Sequence, residues 1–168
     1  MPPDTLASPV IRIATPEDVG ALQQFLDALD ASRTPRGFDA ESLLPPRGTL
    51  EVGAPGGGRV LVAVPAGRAG GRPVGAAAWG TLDRGVAGAA LVIADGWRAS
   101  DLGERLAAAL AGDARAAGIE RFVIDVVPHN AALRAGLRRL GLRESRHAEE
   151  GVVRVVVELG SPRPGASD

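Results

Sequence analysis

Val92-Ile-Ala-Asp-Gly-Trp-Arg-Ala-Ser-Asp-Leu-Gly-Glu-Arg-Leu-Ala-Ala-Ala-Leu-Ala-Gly-Asp-Ala-Arg-Ala-Ala-Gly-Ile-Glu-Arg-Phe-Val-Ile-Asp-Val-Val-Pro-His-Asn130 is the stretch that decides the fold. It reads as the end of one strand, a short polar loop, an amphipathic helix, a second strand and a polar turn. Leu102, Leu106, Ala109, Leu110 and Ala117 recur at helical spacing, and Gly118 is placed to end the helix. Phe122 to Val127 is a mostly apolar run of β-formers, long enough for one buried strand. The loop from Arg98 to Gly103 therefore delivers the chain into a helix N-terminus, where free amides and the helix dipole favour an anion.

Outward from this stretch, the pattern is an alternation of strands and helices. On the N-terminal side, residues 1–9 are Pro- and Ser-containing and read as a flexible end. Val10 to Ile13 is a half-exposed strand. Thr15-Pro16-Glu17-Asp18 then starts a helix whose apolar face is Val19, Leu22, Phe25, Leu26 and Leu29. Between Ser32 and Gly58 the periodicity fails, apart from a short helix around Asp39 to Leu44. So long a connection is either a substrate-binding segment or a mobile one. Val60 to Val64 and Val74 to Trp79 are strands joined across Pro65 to Arg72. A turn at Leu82-Asp83-Arg84-Gly85 leads into the strand from Val86 to Ala94. Beyond Asn130, Ala131 to Leu140 is a helix ended by Gly141. Leu142 to His147 and Val152 to Leu159 form an antiparallel hairpin, and residues 161–168 are a flexible tail. The expected fold class is α/β (α+β): one domain over residues 10–160, a mixed sheet of six to seven strands flanked by about four helices.

Composition excludes several chemistries. The chain of 168 residues has a net charge of −1, which points neither to nucleic acid nor to a membrane surface. It has no cysteine, hence no disulfide, thiolate metal site or cysteine nucleophile. All 19 basic residues are arginine, so no lysine forms a Schiff base or holds a phosphate. Tyrosine, a common general acid, is absent too. The glycine-rich segments at 53–58 and 66–71 lack a P-loop's lysine and read as turns. With no apolar run of transmembrane length and no basic leader, a cytoplasmic protein is the expectation.

The element order, with the quoted stretch, resembles the GNAT (GCN5-related) N-acetyltransferase superfamily. That family's loop is Arg/Gln-x-x-Gly-x-Gly/Ala; here Arg98 and Gly103 match, and Asp101 stands where the first glycine would be. Ala114-Arg115-x-x-Gly118, Asn130 and Leu140-Gly141-Leu142 match the family's downstream pattern. The wording from Val92 to Arg98 is similar to the acetyltransferase domain of bacterial protein-lysine acetyltransferases, and the likeness spans Val10 to Leu159. The resemblance implies acetyl-CoA as cosubstrate and direct transfer of an acetyl group to an amine, on a small molecule or a protein. It implies that main-chain groups of Leu91 and Ile93 hold the pantetheine arm. The loop Arg98, Ala99, Ser100, Asp101, Leu102, Gly103 and Glu104 would hold the diphosphate, and Asn130 would contact the cofactor or fix the next helix.

The departures concern the chemistry. Lysine-acetylating relatives carry a glutamate on the strand before the loop, and Gly88 stands there instead. Asp83, Asp125, Glu51, His129 and His147 are the remaining titratable candidates, and each reads as solvated or structural. Asp101 with Glu104 three residues on reads as a capping box. Trp79 and Trp97 read as packing residues, and Arg134, Arg138, Arg139 and Arg143 as a solvated helix face. The alternative to an enzyme is a GNAT-fold binding or regulatory module that has lost catalysis.

Overall fold

A computed structural model describes residues 8–32, 58–66, 72–97, 100–125, 131–149 and 152–160. Among these residues seven strands form one sheet: β1 (Val10–Ile13), β2 (Gly58–Val64), β3 (Gly75–Asp83), β4 (Val86–Ile93), β5 (Arg121–Asp125), β6 (Glu144–Glu149) and β7 (Val152–Glu158). Their spatial order is β1-β2-β3-β4-β5-β7-β6. Among the described residues only β4 and β5 run parallel, and the helix between them makes the crossover that a parallel pair requires. The described helices are α1 (Val19–Ser32), α2 (Leu102–Ala116) and α3 (Ala131–Arg139), with 3-10 turns at Pro16–Asp18 and Asp95–Trp97. The short helix expected around 39–44 lies outside the described residues. The valine-rich last strand sits inside the sheet, between β5 and β6.

Two apolar layers cover the sheet. On one face α2 buries Leu102, Leu106, Ala107, Leu110, Ala111 and Ala114 against Leu61, Ala77, Leu91, Phe122, Ile124 and Val155, and Leu133 and Leu137 of α3 join them. Each fully buried leucine contributes about 2 kcal/mol by removal of apolar surface from water. On the other face Leu22 and Phe25 of α1 pack on Val60, Val62, Val64, Ala76 and Ala78. Period-2 alternation in the strands and period-3.6 spacing in α2 produce both layers.

Helix ends follow their glycines. Gly118 takes φ +89°, and Ile119 N–H donates to Ala114 O at 2.9 Å, closing α2 with the left-handed turn its sequence anticipated. Gly141, at φ +76°, closes α3 similarly, and Leu142 N–H turns back to Leu137 O. That use of Leu142 is why β6 starts at Glu144 rather than at 142. The expected turn at 82–85 is shorter than anticipated. β3 continues to Asp83 through a register shift between Thr81 and Asp83, which leaves Leu82 exposed and confines the turn to Arg84 and Gly85.

At the first helix, Arg12 forks onto Asp18, with Nη1–Oδ2 at 2.6 Å and Nη2–Oδ1 at 2.7 Å. The Thr15 amide and hydroxyl also donate to Asp18, at 2.7 and 3.1 Å. The Arg12 hydrogen bonds hold the Asp18 carboxyl far below the ordinary range against its partial burial, and those from Thr15 add to the effect. A depressed carboxyl stabilises the fold fully above its unfolded pKa of about 3.9, and the contribution is lost as pH falls further. Asp18→Asn is therefore expected to cost about 1–2 kcal/mol at pH 7 and to flatten the stability profile below about pH 4, read by thermal unfolding across pH.

Candidate functional site

The site is built where β4 and β5 part. Their ladder is Val86↔Arg121, Ala87↔Phe122 and Gly88↔Val123. Beyond it β4 runs on to Ile93, while Ile124 and Asp125 keep their β7 partners Val155 and Arg154 and have no β4 partner. Strand alternation says which backbone groups face the resulting gap. Ala94 N–H donates to Val74 O at 2.9 Å, so Ala94, Val92 and Ala90 turn their main chain toward β3. Gly85 O, of the opposite parity, accepts from Glu120 N–H at 2.8 Å on the β5 side. Hence the N–H and C=O of Leu91 and Ile93, with the C=O of Ala89, face the gap, while the Ala89 N–H completes the last rung at Val123. The side chains of Leu91 and Ile93 are buried against α2, so what they present to the gap is backbone alone.

From the gap the chain turns through Asp95–Trp97 into α2. Ser100 Oγ donates to Trp97 O at 2.6 Å and accepts from Leu102 N–H at 3.3 Å, while Ser100 N–H also donates to Trp97 O. The capping-box reading of Asp101 and Glu104 is thereby corrected. Asp101 precedes the helix at φ −77°, ψ 4° and makes no side-chain capping bond. A capping side chain needs an extended backbone at its own residue to swing back over the first amides. Asp101 already has a near-helical backbone, so its carboxylate is left in solvent and the hydroxyl one residue earlier caps instead. Glu104 turns to α3, its Oε2 at 3.4 Å from Arg139 Nη1.

Leu102 is buried and anchors the first turn of α2. A Cβ on Gly103 would stand 2.9 Å from Ile93 Cδ1, so glycine here sets how closely the helix start lies on β4. Leu91, Ile93, Ser100, Asp101, Leu102, Gly103 and Glu104 are thus gathered at one end of β4. Arg98, Ala99 and Asn130 lie outside the described residues. Gly136 of α3 was not singled out from sequence. Its missing Cβ would stand 2.7 Å from Ala107 Cβ, 3.2 Å from Gly103 O and 3.5 Å from Glu104 Cα, so it lets α3 press on the first turn of α2. A glycine inside a helical pattern was the available signal.

The titratable candidates are scattered. Asp83 is exposed and accepts from Arg84 N–H. His147 is exposed on β6, its Nε2 3.1 Å from Ser145 Oγ. Asp125 lies on β5, the first strand past the gap, while Glu51 and His129 lie outside the described residues. Gly88 is on β4 itself, and a Cβ there would meet only Leu82, at 3.7 Å. Both tryptophans pack as expected. Trp79 is buried, and Trp97 rests half-buried against the core. The basic run is exposed as expected at Arg138, Arg139 and Arg143, and Arg134 alone departs from it. Two nitrogens of Arg134 are buried, Arg138 pairs with Glu144, and Arg139 with Glu104. Among the described residues no group of three or more His, Asp or Glu side chains is placed to hold a metal ion, and no helix is long and apolar enough to cross a membrane.

No protein-family profile and no curated protein sequence matches the chain. Solved structures do. A GNAT-family acetyltransferase from Staphylococcus aureus Mu50 superposes with a TM-score of 0.64 at 13% identity, covering 90% of this chain and 98% of that one. The GNAT domain of S. lividans PAT gives 0.64 at 20% identity, covering 90% and 91%. YncA, described as an acetyltransferase from Salmonella typhimurium and solved with acetyl-CoA, gives 0.63 at 19% identity over 96% and 99%. Among the described residues the chain forms a seven-stranded mixed sheet with β4 and β5 parallel, and it shares the fold of these GNAT acetyltransferases.

Proposed function

We propose that this chain is an acyl-CoA-dependent N-acetyltransferase acting on an amine. The observation that carries the proposal is the gap between β4 and β5, which leaves the main chain of Leu91 and Ile93 facing the β5 side with no ladder partner there. An extended, amide-bearing arm is the kind of ligand such a half-made ladder accepts. The start of α2 follows directly, with first-turn amides and a helix dipole suited to a diphosphate. Leu91 and Ile93 would hold the pantetheine arm. Arg98 to Glu104 would hold the diphosphate through main chain and Ser100, and Asn130 would contact the cofactor or fix the next helix. Acetyl-CoA, when bound, supplies an acetyl group already activated as a thioester for an amine to accept directly.

The chain's own residues then have to remove a proton. A lysine-like amine with a pKa of about 10.4 is mostly charged at neutral pH. Gly88 offers no acceptor on β4, so water or a group on the substrate relays the proton. The acceptor is an amine of a small molecule or of a protein. A second reading, a binding module of the same fold without turnover, is favoured by one observation. A side chain at 88 would have room, yet the position is glycine.

Asp101 supplies the test. Its carboxylate does not cap α2, so removing it leaves the helix start intact, while its charge stands beside the proposed diphosphate site. Two unit charges at about 4 Å repel by roughly 1 kcal/mol in water and about 4 kcal/mol at an effective dielectric near 20. Asp101→Gly is expected to tighten acetyl-CoA binding about tenfold at low salt, less at high salt, with little change in melting temperature. Calorimetry on both proteins reads this. Absence of acetyl-CoA binding at millimolar concentration in both would end the acetyltransferase proposal.

A further inference from the structure

Between residues 131 and 154 arginine outnumbers glutamate six to three, in a chain whose net charge is −1. The fold concentrates part of that excess at one place. Arg134 and Arg138 are four residues apart on one flank of α3, and each is about 200° around the axis from Gly136, which packs on α2. They therefore point away from α2, toward β6. There Glu144 and Arg146, two residues apart, share a face of the edge strand.

One carboxylate serves three guanidiniums. Arg138 Nε and Nη2 both donate to Glu144 Oε1, at 3.0 and 2.7 Å. Arg134 Nη2 stands 3.9 Å from the same oxygen, beyond hydrogen-bonding distance. Arg134 Nε and Nη2 are buried with no hydrogen-bond partner, and its side chain is only 13% exposed. A guanidinium cannot shed its proton to relieve this, and buried unmet donors are costly. The Arg138 hydrogen bonds, against partial burial, hold the Glu144 carboxyl below its ordinary range, and the charges of Arg138, Arg134 and Arg146 add to that. Three cations around one carboxylate leave two positive charges and two vacant donors.

We infer that the Arg134–Arg138–Arg146 cluster between α3 and β6 is an anion site for a phosphomonoester. A phosphomonoester carries a charge of about −1.5 to −2 with three acceptor oxygens, which balances the cluster and answers the forked donors of Arg134. A single carboxylate would leave one charge unmatched. The site lies on the flank of α3 away from the start of α2, so it is separate from the proposed diphosphate position. Glu144 is its internal competitor.

Inorganic phosphate is the probe, added at 10 mM against chloride of matched ionic strength, with thermal unfolding as the readout. The wild-type midpoint is expected to rise by about 3–5 °C, as a millimolar site implies. Glu144→Gln, with the competitor neutralised, is expected to bind phosphate about tenfold tighter. Arg134→Met is expected to lose the specific response, while melting no lower than wild type without phosphate, since an apolar chain replaces a buried guanidinium with two unmet donors and only a shared, distant carboxylate. An equal phosphate response in Arg134→Met and wild type overturns the site. So does an Arg134→Met protein that melts well below wild type in chloride, which would make the arginine a structural partner of Glu144. The source of the phosphate is read separately, by titrating acetyl-CoA against its 3′-dephospho form. A preference for the phosphorylated cofactor that vanishes in Arg134→Met assigns the group to the cofactor. Equal affinities assign it to a separate phosphorylated ligand.

Discussion

Gly136→Val is expected to lower stability by about 3 kcal/mol, a fall of roughly 6–12 °C in melting temperature, and to weaken acetyl-CoA binding along with it. The new Cβ would start 2.7 Å from Ala107 Cβ, 3.2 Å from Gly103 O and 3.5 Å from Glu104 Cα. These neighbours are backbone or a buried methyl, none of which swings aside, so α3 must lift from α2. Valine's helix propensity exceeds that of glycine by only a few tenths of a kcal/mol, too little to offset the overlap. Because two of the three contacts are in the first turn of α2, the displacement reaches the amides proposed for the diphosphate. Gly136→Ala should be milder in both respects. Combining it with Ala107→Gly, which moves the methyl from one helix to the other, should restore most of the loss. A Gly136→Val protein with wild-type melting and wild-type affinity would mean that the two helices are not pressed together as described.

That contact shows where reading the chain stops short of the fold. α2, β5, the closing glycines 118 and 141 and the last hairpin follow from local pattern, because apolar spacing and left-handed glycine turns act within a few residues. The partly open parallel pair does not. Nothing in the composition of Val86 to Ile93 says that pairing ends at Gly88, and only resemblance placed Leu91 and Ile93 at the gap. Once the ladder is known, strand parity independently selects the same two residues. Ser100 and Asp101 are both good capping residues one position apart, and the choice between them rests on a backbone angle that sequence does not carry. Arg134 looked like one member of a solvated run, since four residues of helix look alike until a strand from elsewhere covers one side.

The same limit hides the second large effect. Trp79 of β3 and Asp113 of α2 are 34 residues apart, and the indole Nε1–H donates to Asp113 Oδ2 at 2.8 Å. Arg59, paired with Trp79 across β2 and β3, reaches the other oxygen, Nη1–Oδ1 at 3.1 Å. The carboxylate thus fastens α2 to the sheet through two groups that are themselves largely out of solvent. Asp113→Ala would leave a buried indole N–H without an acceptor and a partly buried guanidinium without its charge partner. The expected cost is about 3 kcal/mol, or roughly 6–12 °C in melting temperature. Asp113→Asn keeps an acceptor for the indole and should cost about 1 kcal/mol. Arg59→Met added to Asp113→Ala should recover part of the loss, because the stranded charge goes with it. Position 113 is eleven residues along α2 from Leu102, about 16 Å from the helix start. Well below its melting temperature, the Asp113→Ala protein should therefore bind acetyl-CoA as wild type does, unlike Gly136→Val. If affinity falls together with stability in Asp113→Ala, α2 does not behave as a rigid rod, and the first-turn amides depend on how its far end is held.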